Sequence, residues 1–145
     1  MKTVTHILEA KGSSETHTIG PDESVLDALE RMAEKEVGAL VVTEASGQIV
    51  GLISERDYAR KVILRGASSC ETTVGDIMSS KVVFATPEQS VEQCLAVMTD
   101  KRCRHLPVLE EGRVVGLVSI GDAVKAIIAE KEAVIGQLES YILGG

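Results

Sequence analysis

Two copies of one short pattern carry the side chains best suited to hold a ligand. Val50-Gly51-Leu52-Ile53-Ser54-Glu55-Arg56-Asp57 recurs as Val115-Gly116-Leu117-Val118-Ser119-Ile120-Gly121-Asp122. Each copy is an apolar strand with a glycine, followed by Ser-x-x-Asp where a helix should begin. The hydroxyl and open amides of a helix start can bind an anion, while the carboxylate accepts hydrogen bonds from a sugar diol. The same residues also suit ordinary helix capping. Repetition does not separate the two readings, because a duplicated cap would repeat too. The upstream glycine leans toward a ligand site, since a residue without Cβ lets a ligand or another backbone approach. A repeated junction of this kind favours paired binding sites over a lone catalytic centre.

A second cluster is basic: Lys101-Arg102-Cys103-Arg104-His105-Leu106-Pro107-Val108. Lys101 and Arg102 fit a helix C-terminus, where cations complement the dipole. Arg104 and His105 abut an apolar strand, and Arg suits bidentate phosphate binding. The equivalent positions in the first copy, Gly38 and Ala39, are uncharged, so the two sites are expected to be unequal. Cys103 lies beside Arg104 and His105, neighbours that can lower a thiol pKa. Catalytic signatures are absent: there is no G-x-S-x-G, Walker loop or G-x-G-x-x-G. His6, His17 and His105 are not at metal-ligand spacings. No enzyme activity, catalytic residue or metal is therefore expected.

The composition narrows the partners. The 145 residues are 44% apolar and 26% charged, an ordinary globular balance. A net charge of −7 argues against nucleic acid, as does an aromatic set of only Tyr58, Tyr141 and Phe84. No apolar run approaches a membrane span, and the N-terminus lacks a signal-peptide core. The odd cysteines Cys70, Cys94 and Cys103 fit a reducing, cytoplasmic setting, with Cys94 in a core.

The elements that must position these residues are themselves duplicated. Pro21 aligns with Pro87 at an offset of 66, which also relates Ser24 to Ser90, Leu29 to Leu95, Met32 to Met98 and Leu40 to Leu106. After the turns the offset becomes 65, relating Gly51 to Gly116 and Asp57 to Asp122. An upstream echo relates Thr3–Leu8 to Thr73–Met78. Each copy reads as a short strand, a helix, a hairpin and a second helix, in the order β-α-β-β-α. Ser24 and Ser90 are N-caps, with Asp27 and Gln93 completing a capping box. Val25, Ala28, Leu29 and Met32, and likewise Val91, Cys94, Leu95 and Met98, form core-facing stripes. The hairpins pair Ala39–Thr43 with Gln48–Ile53 and Leu106–Leu109 with Arg113–Val118. The repeats are expected at residues 1–68 and 69–145, and each looks too small to bury a good core alone. The last helix runs from Ser119 to about Ile142. Its late apolar residues Val134, Ile135, Leu138 and Ile142 either fold back on their own lobe or cover a partner subunit, and the second reading is favoured.

These residues resemble a tandem pair of cystathionine-β-synthase-type (CBS) domains, a Bateman module of the stand-alone single-pair type. The resemblance spans nearly the whole chain. It rests on Val37-Gly38-Ala39-Leu40-Val41-Val42, Ile53-Ser54-Glu55-Arg56-Asp57-Tyr58, Arg104-His105-Leu106-Pro107-Val108 and Val118-Ser119-Ile120-Gly121-Asp122. It implies an α+β fold of two β-α-β-β-α CBS repeats about a pseudo-two-fold axis. It also implies ligands of adenosine type, namely AMP, ADP, ATP or NAD, with S-adenosylmethionine ranked behind them. Carried over from the family, site one combines Ser54, Arg56 and Asp57 with Val83, Ala85, Arg104, His105 and Pro107. Site two combines Ser119 and Asp122 with His17, Ile19, Gly38 and Ala39. Site two has only His17 as a basic group, and Gly121 replaces Arg56, so it is expected to be weak, empty or occupied by a less charged ligand. The implied role is regulatory: a homodimer that senses adenine nucleotide and signals to a separate effector, such as a redox enzyme. The alternative is a dimeric assembly module with vestigial ligand sites.

Overall fold

The structure, a computed structural model, describes residues 2–12 and 16–144. The chain forms two compact units. One is residues 16–82; the other joins residues 83–145 to the N-terminal segment 1–15. The expected mixture of helix and strand is present in both.

In the unit of residues 16–82, β1 (Thr18–Ile19) runs parallel to β2 (Ala39–Thr43), which is antiparallel to β3 (Ile49–Ser54). Helix α2 (Val25–Lys35) precedes the hairpin. It is capped by Ser24, whose hydroxyl accepts the Asp27 amide at 3.1 Å. The expected stripe faces inward: Val25, Ala28 and Met32 are buried with Leu40, Val42 and Ile53. After β3 come a single α-turn, α3 (Glu55–Tyr58), and a π-helical stretch, Ala59–Ile63. The short helix α4 (Val74–Ile77) closes the core with Val74 and Ile77.

The other unit repeats this plan. Here α1 (Val4–Lys11) plays the part of α4, α5 (Val91–Lys101) that of α2, and β4 (His105–Glu110) with β5 (Arg113–Ser119) forms the hairpin. The two-residue turn Glu111-Gly112 has φ of 51° and 77°, the doubly positive geometry of a tight hairpin. The counterpart of β1 shrinks to one parallel bridge, from Ala85 to Val108. Val4 and Ile7 join Val91, Cys94, Met98, Leu106 and Val118 in the core. Helix α6 (Ile120–Gly144) then runs 25 residues.

These units divide the chain differently from a cut at residue 68. The helix that leads each repeat completes the core of the unit built on the other repeat. The Thr3–Leu8 echo of Thr73–Met78 is thus structural. Thr3 bridges Ser90, the N-cap of α5, and Thr73 bridges Ser24, the N-cap of α2. This agrees with the expectation that a repeat is too small to bury a good core alone, since each core takes in a helix of the other repeat. Each unit closes its own core because two apolar residues of a leading helix, Val4 with Ile7 or Val74 with Ile77, cover what the repeat leaves open.

The end of α6 does not fold back on its own unit. Ile127 packs against the core, but Ile135 is 53% exposed, Leu138 58% and Ile142 75%.

Candidate ligand site

Each hairpin delivers its last strand residue, Ser54 or Ser119, to a helix start. Ser54 pairs in register with Ala39, and Ser119 with His105. The loop before each hairpin is tied to the same corner. The Glu55 amide donates to the Gly38 carbonyl at 3.1 Å, and the Ile120 amide to the Arg104 carbonyl at 2.9 Å. Within one unit, then, Gly38 and Ala39 lie beside Ser54; within the other, Arg104 and His105 lie beside Ser119. The register also brings Ile19 to Val42, and the Val41 amide to the His17 carbonyl at 3.2 Å. Ala85 exchanges hydrogen bonds with the strand carrying Pro107, its amide donating to the Pro107 carbonyl at 2.9 Å.

Of the residues expected for site one, Ser54, Arg56 and Asp57 belong to the unit of residues 16–82. Val83, Ala85, Arg104, His105 and Pro107 belong to the other unit. Site two divides the opposite way, with Ser119 and Asp122 apart in chain unit from His17, Ile19, Gly38 and Ala39. Arg56 and Arg104 are exposed, His105 is half-buried, and Ala85 and Pro107 are buried.

Both corners form reciprocal caps. The Ser54 amide donates to Asp57 Oδ2 at 2.9 Å, and the Asp57 amide to Ser54 Oγ at 3.3 Å. The Ser119 amide donates to Asp122 Oδ2 at 2.9 Å, and the Asp122 amide to Ser119 Oγ at 3.0 Å. Capping therefore explains these residue types, and any ligand role is additional to it. Each carboxylate sits at a helix start, with its Oδ2 engaged by a backbone amide.

The glycines find a different explanation from close ligand approach. A Cβ at Gly51 would lie 2.6 Å from Met78 Sδ and 2.8 Å from the Ser79 carbonyl oxygen; at Gly116 it would lie 2.6 Å from Leu8 Cδ2. The leading-helix residues Met78 and Leu8 fill these positions, so the glycines serve packing.

Cations that sequence reasoning missed complete the corners. Lys61 Nζ is 3.6 Å from Asp57 Oδ1 and donates to the Ile77 carbonyl at 2.9 Å. Lys11, at the end of α1, donates to Asp122 Oδ2 and to the Leu117 carbonyl, both at 2.9 Å. Burial pushes the Asp122 pKa up, but the Ser119 amide and Lys11 outweigh it and hold the carboxyl below its ordinary value. The corner expected to be poor in charge thus has a lysine in direct contact. Only an i,i+4 spacing on the helix could have signalled Lys61, and nothing local signals Lys11.

Cys103 also departs from expectation. Burial raises its pKa, offset in part by a backbone hydrogen bond, so proximity to Arg104 and His105 in sequence does not activate it. Among the described residues no group of side chains could hold a metal ion, and no helix is long and apolar enough to cross a membrane.

Two repeats of this architecture, each ending in the same Ser-x-x-Asp corner, define a class. The family model for the CBS domain matches residues 12–64 and 74–129, and the chain belongs to the CBS-domain family. Among individual relatives, it is 41% identical over 150 residues to the CBS domain-containing protein CBSX3, mitochondrial, of Arabidopsis thaliana, covering 99% of this chain and 73% of that one. A solved protein with CBS domains from Burkholderia ambifaria superposes with a TM-score of 0.84 at 47% identity, over 88% of this chain and 95% of that one. The CBS domain pair of protein MJ0100, solved with 5′-methylthioadenosine and S-adenosyl-L-methionine, shares the fold. Its TM-score is 0.78 at 23% identity, over 90% of this chain and 98% of that one.

Proposed function

We propose that this chain is a regulatory module that binds an adenine nucleotide, AMP, ADP, ATP or NAD, and passes its state to a separate protein without chemistry of its own. The carrying observation is the pair of Ser-x-x-Asp corners, each presenting a half-buried carboxylate at a helix start. Such a carboxylate can accept both hydroxyls of a ribose, and helix-start amides suit phosphate. The adenosine compounds held by the CBS pair of MJ0100 support the ligand class. In this reading Asp57 and Asp122 hold ribose. The site residues expected in the sequence (Ser54, Arg56, Val83, Ala85, Arg104, His105 and Pro107; Ser119, His17, Ile19, Gly38 and Ala39) remain the residues proposed to line the two ligands. The ligand acts by favouring the conformation it binds better. No metal is required. The proposed setting is the reducing cytoplasm, in keeping with three free cysteines.

A second reading has its own observation. The exposed apolar side chains of α6, Ile128, Ile135, Leu138 and Ile142, favour a homodimer in which a second copy covers them. If the ligand sites are vestigial, assembly is the function.

A thermal-shift series with AMP, ADP, ATP, NAD and S-adenosylmethionine separates the readings, because a ligand bound only by the native state raises the midpoint. The sensor reading expects a dose-dependent rise that D57N and D122N diminish; both keep an amide oxygen for the cap. The assembly reading expects no rise and a dimer that L138D and I142D dissociate.

A further inference from the structure

The late half of α6 is patterned to meet another helix. Residues 130–144 lie past the stretch matched by the CBS-domain family model, which ends at residue 129. Their apolar side chains keep a seven-residue spacing that begins earlier in the helix. With Ile128, Ile135 and Ile142 at position a of a heptad lettered abcdefg, Val124, Lys131 and Leu138 fall at d. The steps from Val124 to Ile142 are then 4, 3, 4, 3 and 4 residues, the alternation of a coiled-coil seam. Val134 and Tyr141 fall at g and widen the stripe. Every apolar residue of this stripe is at least 42% exposed. The other face carries Glu130, Glu132, Gln137, Glu139 and Ser140. A coil under three heptads long is marginal on its own, but this helix leaves the unit already nucleated. Ala123 is buried, and Ala126 and Ile127 pack against the core.

We propose that the α6 extension is one strand of a parallel two-helix coiled coil joining two copies of this chain, with Lys131 of each helix beside the partner's Glu132. The proposal rests on the reading that a second copy covers α6; it adds which helix covers it and in which direction. Isoleucine at a with leucine at d is the combination that favours two parallel strands. Lys131 is the one charge in the seam. In a parallel pair a d residue is flanked by the e residue of the facing helix, and position e here is Glu132, of opposite charge. Two-fold symmetry makes that ion pair twice. A polar residue in the seam costs stability and limits how many helices can share it. The first repeat has no such extension: its second helical segment ends in the π-helical stretch Ala59–Ile63.

Sedimentation equilibrium and disulfide trapping of the full chain test this, all in a C70S parent so that the exposed thiol of Cys70 cannot cross-link. The parent should be a dimer at micromolar concentration. E132K sets like charges side by side twice and should weaken the dimer roughly ten-fold, and K131E/E132K, which restores opposite charges, should recover it. I142C places a thiol at an a position, which in a parallel pair meets its own copy, so mild oxidation should link the two chains. If I142C stays unlinked while V124C/I142C links, the helices run antiparallel: the parallel coil is overturned and the homodimer stands. If E132K dimerises as tightly as the parent, the Lys131–Glu132 pairing is overturned, again with the homodimer standing. A dimer that L138D and I142D leave intact, or a monomer at every concentration, would overturn both the coil and the reading it rests on.

Discussion

The two Ser-x-x-Asp corners have the same cap and different cations. Asp57 is served from its own helical segment by Lys61, four residues on and 3.6 Å away. Asp122 is served at 2.9 Å by Lys11, 111 residues distant in the chain and on the helix that leads the other repeat. The helices that follow differ as well. One passes from a single α-turn into a π-helical stretch and stops, whereas the other continues as a regular helix of 25 residues. Duplication preserved what the backbone needs at the corner, namely the glycine, the serine and the aspartate. The cation beside the carboxylate comes from a different place in each, Lys61 in the same helical segment and Lys11 in the leading helix.

The packing glycines offer the largest test of how alike the corners are. Gly51→Ala drives a Cβ against the Ser79 carbonyl, backbone that cannot turn aside, whereas Gly116→Ala meets only the flexible end of Leu8. Overpacking of this kind costs about 1–3 kcal/mol, so G51A should fall near the top of that range and G116A near the bottom in urea denaturation. L8A should relieve the clash in G116A, and its failure to do so would show that Leu8 is not the contact.

Removing the caps comes next. D57A and D122A should each cost about 1 kcal/mol as lost N-caps. D122A should cost more, because it also frees Lys11, which ties α1 to the strand at Leu117. Equal losses would mean that the Lys11 contact contributes no more than the Lys61 contact does at Asp57.

Single lysine changes are smaller. K11M should cost under about 1 kcal/mol, since the pair is partly exposed, and K61M only about 0.3–0.5 kcal/mol as an i,i+4 pair. K11M carries a sharper signature in pH. Asp122 has a folded pKa below its ordinary 3.8, so its contribution is present above that value and fades as the pH falls through the lowered one. NMR titration of Asp122 in K11M should show the pKa moving up toward its ordinary value, and stability should become less sensitive to acid. An unmoved titration would place the lowering on the amide and hydroxyl of Ser119 alone.

Much of the fold was legible because the signals are local. Ser24 and Ser90 cap where capping chemistry places them, the stripes of α2 and α5 face the core, and the hairpin strands begin and end within a residue or so of expectation. The duplicated Ser-x-x-Asp junction marked both corners correctly. What escaped is non-local. A four-residue helix such as Val74–Ile77 has too few turns to announce a face, so nothing in it shows which repeat it will complete. Gly51 and Gly116 reveal that something comes close, and only the fold identifies it as Met78 and Leu8. Lys11 reads as an unremarkable helix-end cation until α1 packs beside α6. The thiol of Cys103 is set by burial, which outweighs neighbours that merely precede or follow it in sequence.

Direct binding of nucleotide is the measurement closest to the central claim. Equilibrium dialysis of the purified full chain against labelled ATP and AMP, up to millimolar concentration and alongside D57N/D122N, should show saturable uptake that the double variant loses while remaining folded. No uptake of either nucleotide by the folded wild-type chain, or uptake that the double variant retains in full, would contradict it.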